Sequence, residues 1–244
     1  MSSITLLGTG TCQIEYERRA SSVLLELDQT HILFDCGHGI AQRLLEVGVR
    51  HHQLSHIILS HFHPDHVSDL IPMLQAGAWS QRDPRDSDLH IYGPEGVQQL
   101  IDGLMRIFGP RSFQQPGYQV RVHEITDEHF SIEDYQFESL SLPPAGNHGL
   151  RFQWGDKRYA ITGDSHFHEQ EINLLTGCDL AIIDAGHISD AEIVELAVAT
   201  QTPHIICSHL YRDLNGPQLQ RQARQRGYNG TLQVGYDLLS FTLP

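Results

Sequence analysis

Short apolar runs, each closed by Gly, Asp or Ser, recur along this chain and set its predicted elements. Ile4 to Leu7 reads as a first strand, ended by the tight turn Gly8-Thr9-Gly10. Ser22 to Leu27 and His31 to Phe34 flank Asp28-Gln29 as a hairpin. Ile40 to Val47 has helical spacing through Ile40, Leu44 and Leu45, and Gly48 stands where a helix ends. A strand at Ile57-Ile58-Leu59 is followed by a polar stretch and then a helix from about Val67 to Ala76. Ser80 to Asp88 is a charged loop, His90 to Tyr92 a short strand, and Gly93-Pro94-Glu95 the start of a further helix. From Met105 to Tyr118, Phe108, Phe113 and Tyr118 are interleaved with Gly and Pro. That composition suits a mobile wall over a pocket, an oligomer contact or plain loop packing.

The second half of the chain repeats the first. Ala181-Ile182-Ile183-Asp184-Ala185-Gly186-His187 matches Ile32-Leu33-Phe34-Asp35-Cys36-Gly37-His38 in character, with Asp, Gly and His in register. His204 to His209 matches His56 to His61 at every position but one. Asp35 and His61 are 26 residues apart, Asp184 and His209 25. The matched order points to a single domain over 1–244 made of two β-rich halves, about 1–135 and 136–244. Each half would send a strand to a shared site beneath covering helices. Parallel strands buried on both faces explain the unbroken apolar runs.

Composition narrows the partners. Lys and Arg number 16 against 30 Asp and Glu, a net charge of -14. Proteins that grip nucleic acid through its phosphates show the opposite balance, so nucleic acid is a disfavoured partner. Bound metal ions would still add local positive charge. The N-terminal residues lack the basic and apolar regions of a signal peptide. No run reaches the ~18 apolar residues of a membrane span, so no membrane association is expected. Cys12, Cys36, Cys178 and Cys207 form no CxxC pair, which suits reduced thiols and a cytoplasmic location.

The chemistry concentrates at Ser60 to His66, where His61, His63, Asp65 and His66 directly follow the apolar strand. Buried His and Asp require polar partners, and four side by side are costly without a cation. The alternative is a solvated loop in a chain holding 17 histidines. Against it, a ligand cluster between strand and helix is where open α/β sheets place their sites. His209 reaches a strand end as His61 does and is the distant ligand candidate. Asp164 ends the run Tyr159 to Thr162 in the turn Gly163-Asp164-Ser165, as a bridging carboxylate or a helix N-cap. Imidazole and carboxylate together suit zinc, manganese or iron. Two ions ~3.5–4 Å apart would bring the pKa of a shared water toward ~7 and so yield a bridging hydroxide.

At these residues the chain resembles the metallo-β-lactamase superfamily, in particular ribonuclease Z and the small cyclic-phosphodiesterase hydrolases. The pattern runs through Gly8-Thr9-Gly10, Arg19 with Ser21-Ser22, Phe34-Asp35-Cys36-Gly37, His61-x-His63-x-Asp65-His66, Gly163-Asp164 and Ser208-His209. The HxHxDH element is its most specific part. The resemblance implies an α+β protein, an αββα sandwich with two divalent metal ions at one edge. Zinc is the expected metal, with manganese or iron as alternatives. His61 and His63 would hold the first ion, Asp65, His66 and His209 the second, and Asp164 would bridge. Asp35 would support the cluster from behind.

Three departures qualify the match. The family's third histidine for the first ion would fall near Pro143-Pro144; His148 is the one histidine beside that position, with His166 and His168 as substitutes. Ribonuclease Z has a His-Glu pair where this chain has Ile183-Asp184, and His187 is close but out of register. Its tRNA-gripping arm has no room in the 16 residues from His148 to Asp164. The implied activity is hydrolysis of a small phosphodiester, with Asp65 and Asp164 as the catalytic carboxylates. The alternatives are tRNA 3′-end cleavage, hydrolysis of a lactone, thioester or β-lactam, and a non-catalytic protein with an eroded site. A small ester or phosphodiester is the expected partner, and homodimerisation stays open.

Overall fold

Two seven-stranded sheets face each other in the computed structural model, which describes residues 2–244. The first sheet uses β1 (Ser3–Gly8), β2 (Ser22–Leu27), β3 (Thr30–Phe34), β4 (Leu54–Ile58), β5 (Leu89–Gly93) and β6 (Val120–Glu124). The second uses β7 (Glu128–Ile132), β8 (Tyr135–Leu142), β9 (Asn147–Trp154), β10 (Lys157–Ile161), β11 (Leu180–Asp184), β12 (His204–Ser208) and β13 (Thr231–Val234). A last strand, β14 (Leu239–Thr242), returns to pair antiparallel with β1. Strands β3 to β6 are parallel, as are β10 to β13.

Helices cover the outer faces. On the first sheet lie α1 (Ile40–Glu46), α2 (Pro64–Val67), α3 (Leu70–Trp79) and α4 (Val97–Phe108). On the second lie α5 (Glu169–Leu175), α6 (Asp190–Thr200) and α7 (Gly216–Gln225). The period of two along each strand feeds both layers. In β4, Ile58 enters the core between the sheets while Ile57 packs under the helices. In β11, Ile182 and Ile183 divide in the same way. The result is the α+β, αββα sandwich that the sequence implies, and the continuous apolar runs are strands buried on both faces.

Local chemistry explains most boundaries. Helix α1 ends in a Schellman turn: Gly48, at φ 84°, donates to Leu45, and Val49 donates to Leu44. The helix expected over Val67 to Ala76 is instead two segments broken at Ser68-Asp69. Tertiary contacts decide this, because the Asp69 amide donates to Cys36 and its carboxylate accepts from Ala41. The helix expected at Gly93-Pro94 starts later, at Val97, after a turn through Gly96 at φ 101°.

The segment 105–118 is partly loop packing, with Ile107 and Phe108 left exposed. Phe113 and Tyr118 are buried in the helix-side core, and the Arg85 guanidinium lies 5.4 Å over the Tyr118 ring. Arg85 itself is buried and donates to the carbonyls of His51 and Leu54, so the charged loop 80–88 is anchored by one of its own charges.

Candidate metal centre

The C-terminal ends of β3, β4, β10, β11 and β12 meet at one edge of the sandwich. Each delivers a polar residue at the end of its strand or within the next three residues. Asp35 follows β3 at φ 62°, and its carboxylate accepts from the Ser60 amide (2.7 Å) and hydroxyl (2.8 Å). These bonds lock the loop after β4 that carries His61. The same carboxylate lies 2.7 Å from His66 Nδ1. Gly37 lets the two loops close, since a Cβ there would lie 1.7 Å from the Asp65 carbonyl oxygen. His209 follows β12 at φ 53°, and the next amide, of Leu210, donates to Thr9. Gly163, at φ 64°, turns the chain after β10 so that Asp164 points inward.

Four of the expected ligands form a tight set. Asp164 Oδ1 is 3.0 Å from His66 Nε2 and 3.2 Å from His209 Nε2. Asp65 Oδ2 is 3.5 Å from His209 Nε2 and 3.8 Å from His66 Nε2. Zinc held tetrahedrally at about 2.0–2.1 Å spaces its ligand atoms by about 3.3–3.4 Å, close to these separations. His61 Nε2 stands 3.6 Å from the other Asp164 oxygen, Oδ2. His61 Nε2, His66 Nε2, His209 Nε2 and Asp164 Oδ1 are all buried without a hydrogen-bond partner. Burying such atoms unpaired is costly, and one or two cations between them would satisfy all four. The residues therefore fit a divalent-metal centre.

The other expected residues are placed differently. The His63 ring meets His61 edge-on at 4.5 Å between centroids, but the residue is exposed at the start of α2. His148 lies within β9 rather than ahead of it. Its Nδ1 pairs with Ser139 Oγ at 3.0 Å, and its ring lines a groove with Asp127, Glu95 and Gln99. The structure does not bring His148 into the donor groups around Asp164. His166 and His168 are exposed, and His168 caps α5 by accepting from the Gln170 amide.

Two supporting residues escaped the sequence reading. Asp184 Oδ1 accepts from the amides of Gly186 (2.7 Å) and His187 (3.2 Å) and lies 3.3 Å from His209 Nδ1. Its Oδ2 accepts from the Ser165 amide (2.9 Å) and lies 2.7 Å from His187 Nδ1. With its lone pairs so engaged, Asp184 orients imidazoles rather than adding a ligand atom. It stands behind His209 as Asp35 stands behind His66, at a longer 3.3 Å and without hydrogen-bond geometry, and the repeated Asp-x-Gly-His was the available signal. Tyr211 is the second, its ring edge-on to both His187 and His209. Nothing in the local sequence marks it.

The electrostatics suit positive charge: burial lowers His66 and His209, but Asp35 and Asp164 raise the first and Asp184 and Asp65 raise the second to about 9, so an entering ion displaces protons there. Burial pushes the Asp65 carboxyl up, but His209 and His66 outweigh it and hold it below the usual carboxylate range. Burial also raises Asp164, and His66 overcomes that in the same way. His61 is pushed down to about 4, chiefly by burial, which keeps its ring neutral and able to bind metal.

A family model described as the β-lactamase superfamily domain matches residues 30–214. The chain belongs to the metallo-β-lactamase superfamily. Ribonuclease Z of Streptococcus pneumoniae is 35% identical over 128 residues, 51% of this chain and 40% of that protein. This superfamily member therefore aligns with less than half the length of the curated relatives it matches. Among solved structures it resembles the metallo-β-lactamase-fold protein YhfI of Bacillus subtilis, with TM-score 0.79 and 19% identity, over 98% of both chains. It also resembles the short form of human tRNase Z, with TM-score 0.76 and 20% identity, over 99% of both. A diphosphatase of the PhnP family gives TM-score 0.71 and 19% identity, over 100% of this chain and 98% of that one. At such identities these structures establish the fold, and the fold implies a divalent-metal site.

Proposed function

We propose that this protein is a metal-dependent hydrolase of a small phosphodiester. The observation that carries the reading is the convergence of four buried donor atoms lacking hydrogen-bond partners, on His61, His66, His209 and Asp164. Asp65 completes the set, and His63 adds a ligand from the solvent side. A divalent ion held there would polarise a phosphoryl oxygen and lower the pKa of water. In this reading water attacks phosphorus, the bond to the leaving oxygen breaks, and a phosphomonoester and an alcohol result. Asp65 orients the attacking water. His187, held through Nδ1 by Asp184, protonates the leaving alcohol in this reading. His187 Nδ1 lies 3.9 Å from Asp164 Oδ2, and the ring stacks on His209 at 5.1 Å, which puts it beside the reacting centre.

The second reading is cleavage of tRNA 3′ ends, favoured by the similarity to ribonuclease Z. Against it stand the net charge of -14 and the direct β9–β10 hairpin through Gly155-Asp156, which carries no arm. We read the native metal as zinc, the location as cytoplasmic, and residues 1–244 as one domain of two related halves. The parallel pairs β3–β4 and β11–β12, each ending in Asp and His, support that division. No described helix is long and apolar enough to cross a membrane.

The test is turnover of bis-p-nitrophenyl phosphate by zinc-loaded protein, beside a salt titration of tRNA binding. Metal-dependent hydrolysis with weak, unselective RNA cleavage is expected. Site-specific cleavage of precursor tRNA without turnover of small diesters would replace this reading with the second.

A further inference from the structure

We infer that the two ion positions of this centre are unequal. One ion is held tightly by Asp65, His66, His209 and Asp164. A second, beside His61 and His63, is held at least about 100-fold more weakly. The inference rests on the cluster being a metal centre and is independent of the reaction catalysed.

The tight position has four donor atoms, all on residues that are almost fully buried. A carboxylate stands behind each of its imidazoles: Asp35 is at hydrogen-bonding distance from His66 Nδ1, 2.7 Å, and Asp184 makes a 3.3 Å ion-pair contact with His209 Nδ1 without hydrogen-bond geometry. Such backing fixes the ring and strengthens it as a ligand, and losing it typically costs 10–100-fold in affinity. Little reorganisation is needed for an ion to enter, because one oxygen of each carboxylate already stands 3.0–3.8 Å from both imidazole nitrogens.

The second position has fewer buried donors and no carboxylate behind its imidazole. Its certain buried donors are His61 Nε2 and Asp164 Oδ2, 3.6 Å apart. The other His61 nitrogen meets a neutral hydroxyl, Ser60 Oγ at 3.0 Å, rather than a carboxylate. His63 is exposed, so its ring must be ordered before it can bind. No third imidazole arrives. His148, in β9, lies outside the donor groups around Asp164, and the loop before β9 offers Pro143 and Pro144, which have no donor side chain. Fewer ligands and absent backing both lower affinity.

Metal stoichiometry tests this without any assay of turnover. Protein loaded with zinc and dialysed exhaustively against metal-free buffer should retain one ion per chain by mass spectrometry. Calorimetric titration with zinc should then show one further event, at least about 100-fold weaker than the retained ion. His61→Ala should abolish that weak event and keep the retained ion, whereas Asp65→Asn should lose the retained ion. Should Asp65→Asn fail to fold, cobalt titration of the stripped wild-type protein still decides. One visible spectrum should saturate at the first equivalent and a distinct one develop with the second. Two ions retained through dialysis, or two equal events, would overturn the inference. Retention of none, with no cobalt spectrum, would overturn both the inference and the metal centre on which it rests.

Discussion

Asp35 shows how a single side chain with no place among the ligands can govern the centre. Its carboxylate holds the Ser60 amide and hydroxyl on one side and His66 on the other, so one group sets both the loop and the ring. Asp35→Asn keeps the shape but offers one acceptor oxygen where two were used. Zinc affinity should fall 10–100-fold, read by competition with a chelating dye, with the circular-dichroism spectrum unchanged. Asp164→Ala removes the one carboxylate whose two oxygens reach both groups of histidines. Turnover of bis-p-nitrophenyl phosphate should drop to background, and activity retained at even a tenth would exclude Asp164 from the reaction.

Among elements, the close approaches matter more than the helices themselves. A methyl group at Gly37 would collide with the Asp65 backbone, and flexible side chains cannot relieve that contact. Gly37→Ala should cost about 3 kcal/mol by urea denaturation. Gly48 makes the contrast: no atom lies near its missing Cβ, and only its φ of 84° opposes substitution. There Ala should cost about 1 kcal/mol. Much of this organisation was legible in the chain. Strands buried on both faces leave unbroken apolar runs, and the density of His and Asp from His61 to His66 marked the edge where the buried donor atoms meet. What stayed hidden is non-local. The break in the helix at Ser68-Asp69 comes from Cys36 and Ala41, the burial of Arg85 from carbonyls some thirty residues earlier, and the engagement of His148 from Ser139 on the neighbouring strand. No local pattern records any of these partners.

At the scale of the whole molecule, ions that bind only the folded state stabilise it, so chelation should lower the melting temperature. Acid should destabilise the metal-free protein for a separate reason. His56 lies between the sheets with His90 stacked on it, His123 and Arg85 nearby, and burial above all pushes it down to about 4. Unfolded, it titrates near ~6.5. Stability from its neutral ring is complete above that value and is lost as pH falls toward 4, by about 3 kcal/mol in all. Urea denaturation in chelator from pH 7 to 4.5 should show a shallower decline for His56→Leu, and equal slopes would refute the assignment.

The closing strand has a consequence of another kind. β14 pairs with β1, and Asp237 just before it binds the amides of Thr9 and Arg19 and the Arg43 guanidinium. A nascent chain thus exposes the β1 edge until residues 239–242 leave the ribosome. At about 5–20 residues per second, that interval lasts roughly ten to fifty seconds. During it the edge is open to pairing with other chains, so a stalled ribosome near residue 230 would leave an aggregation-prone product with a metal site built on an unfinished sheet.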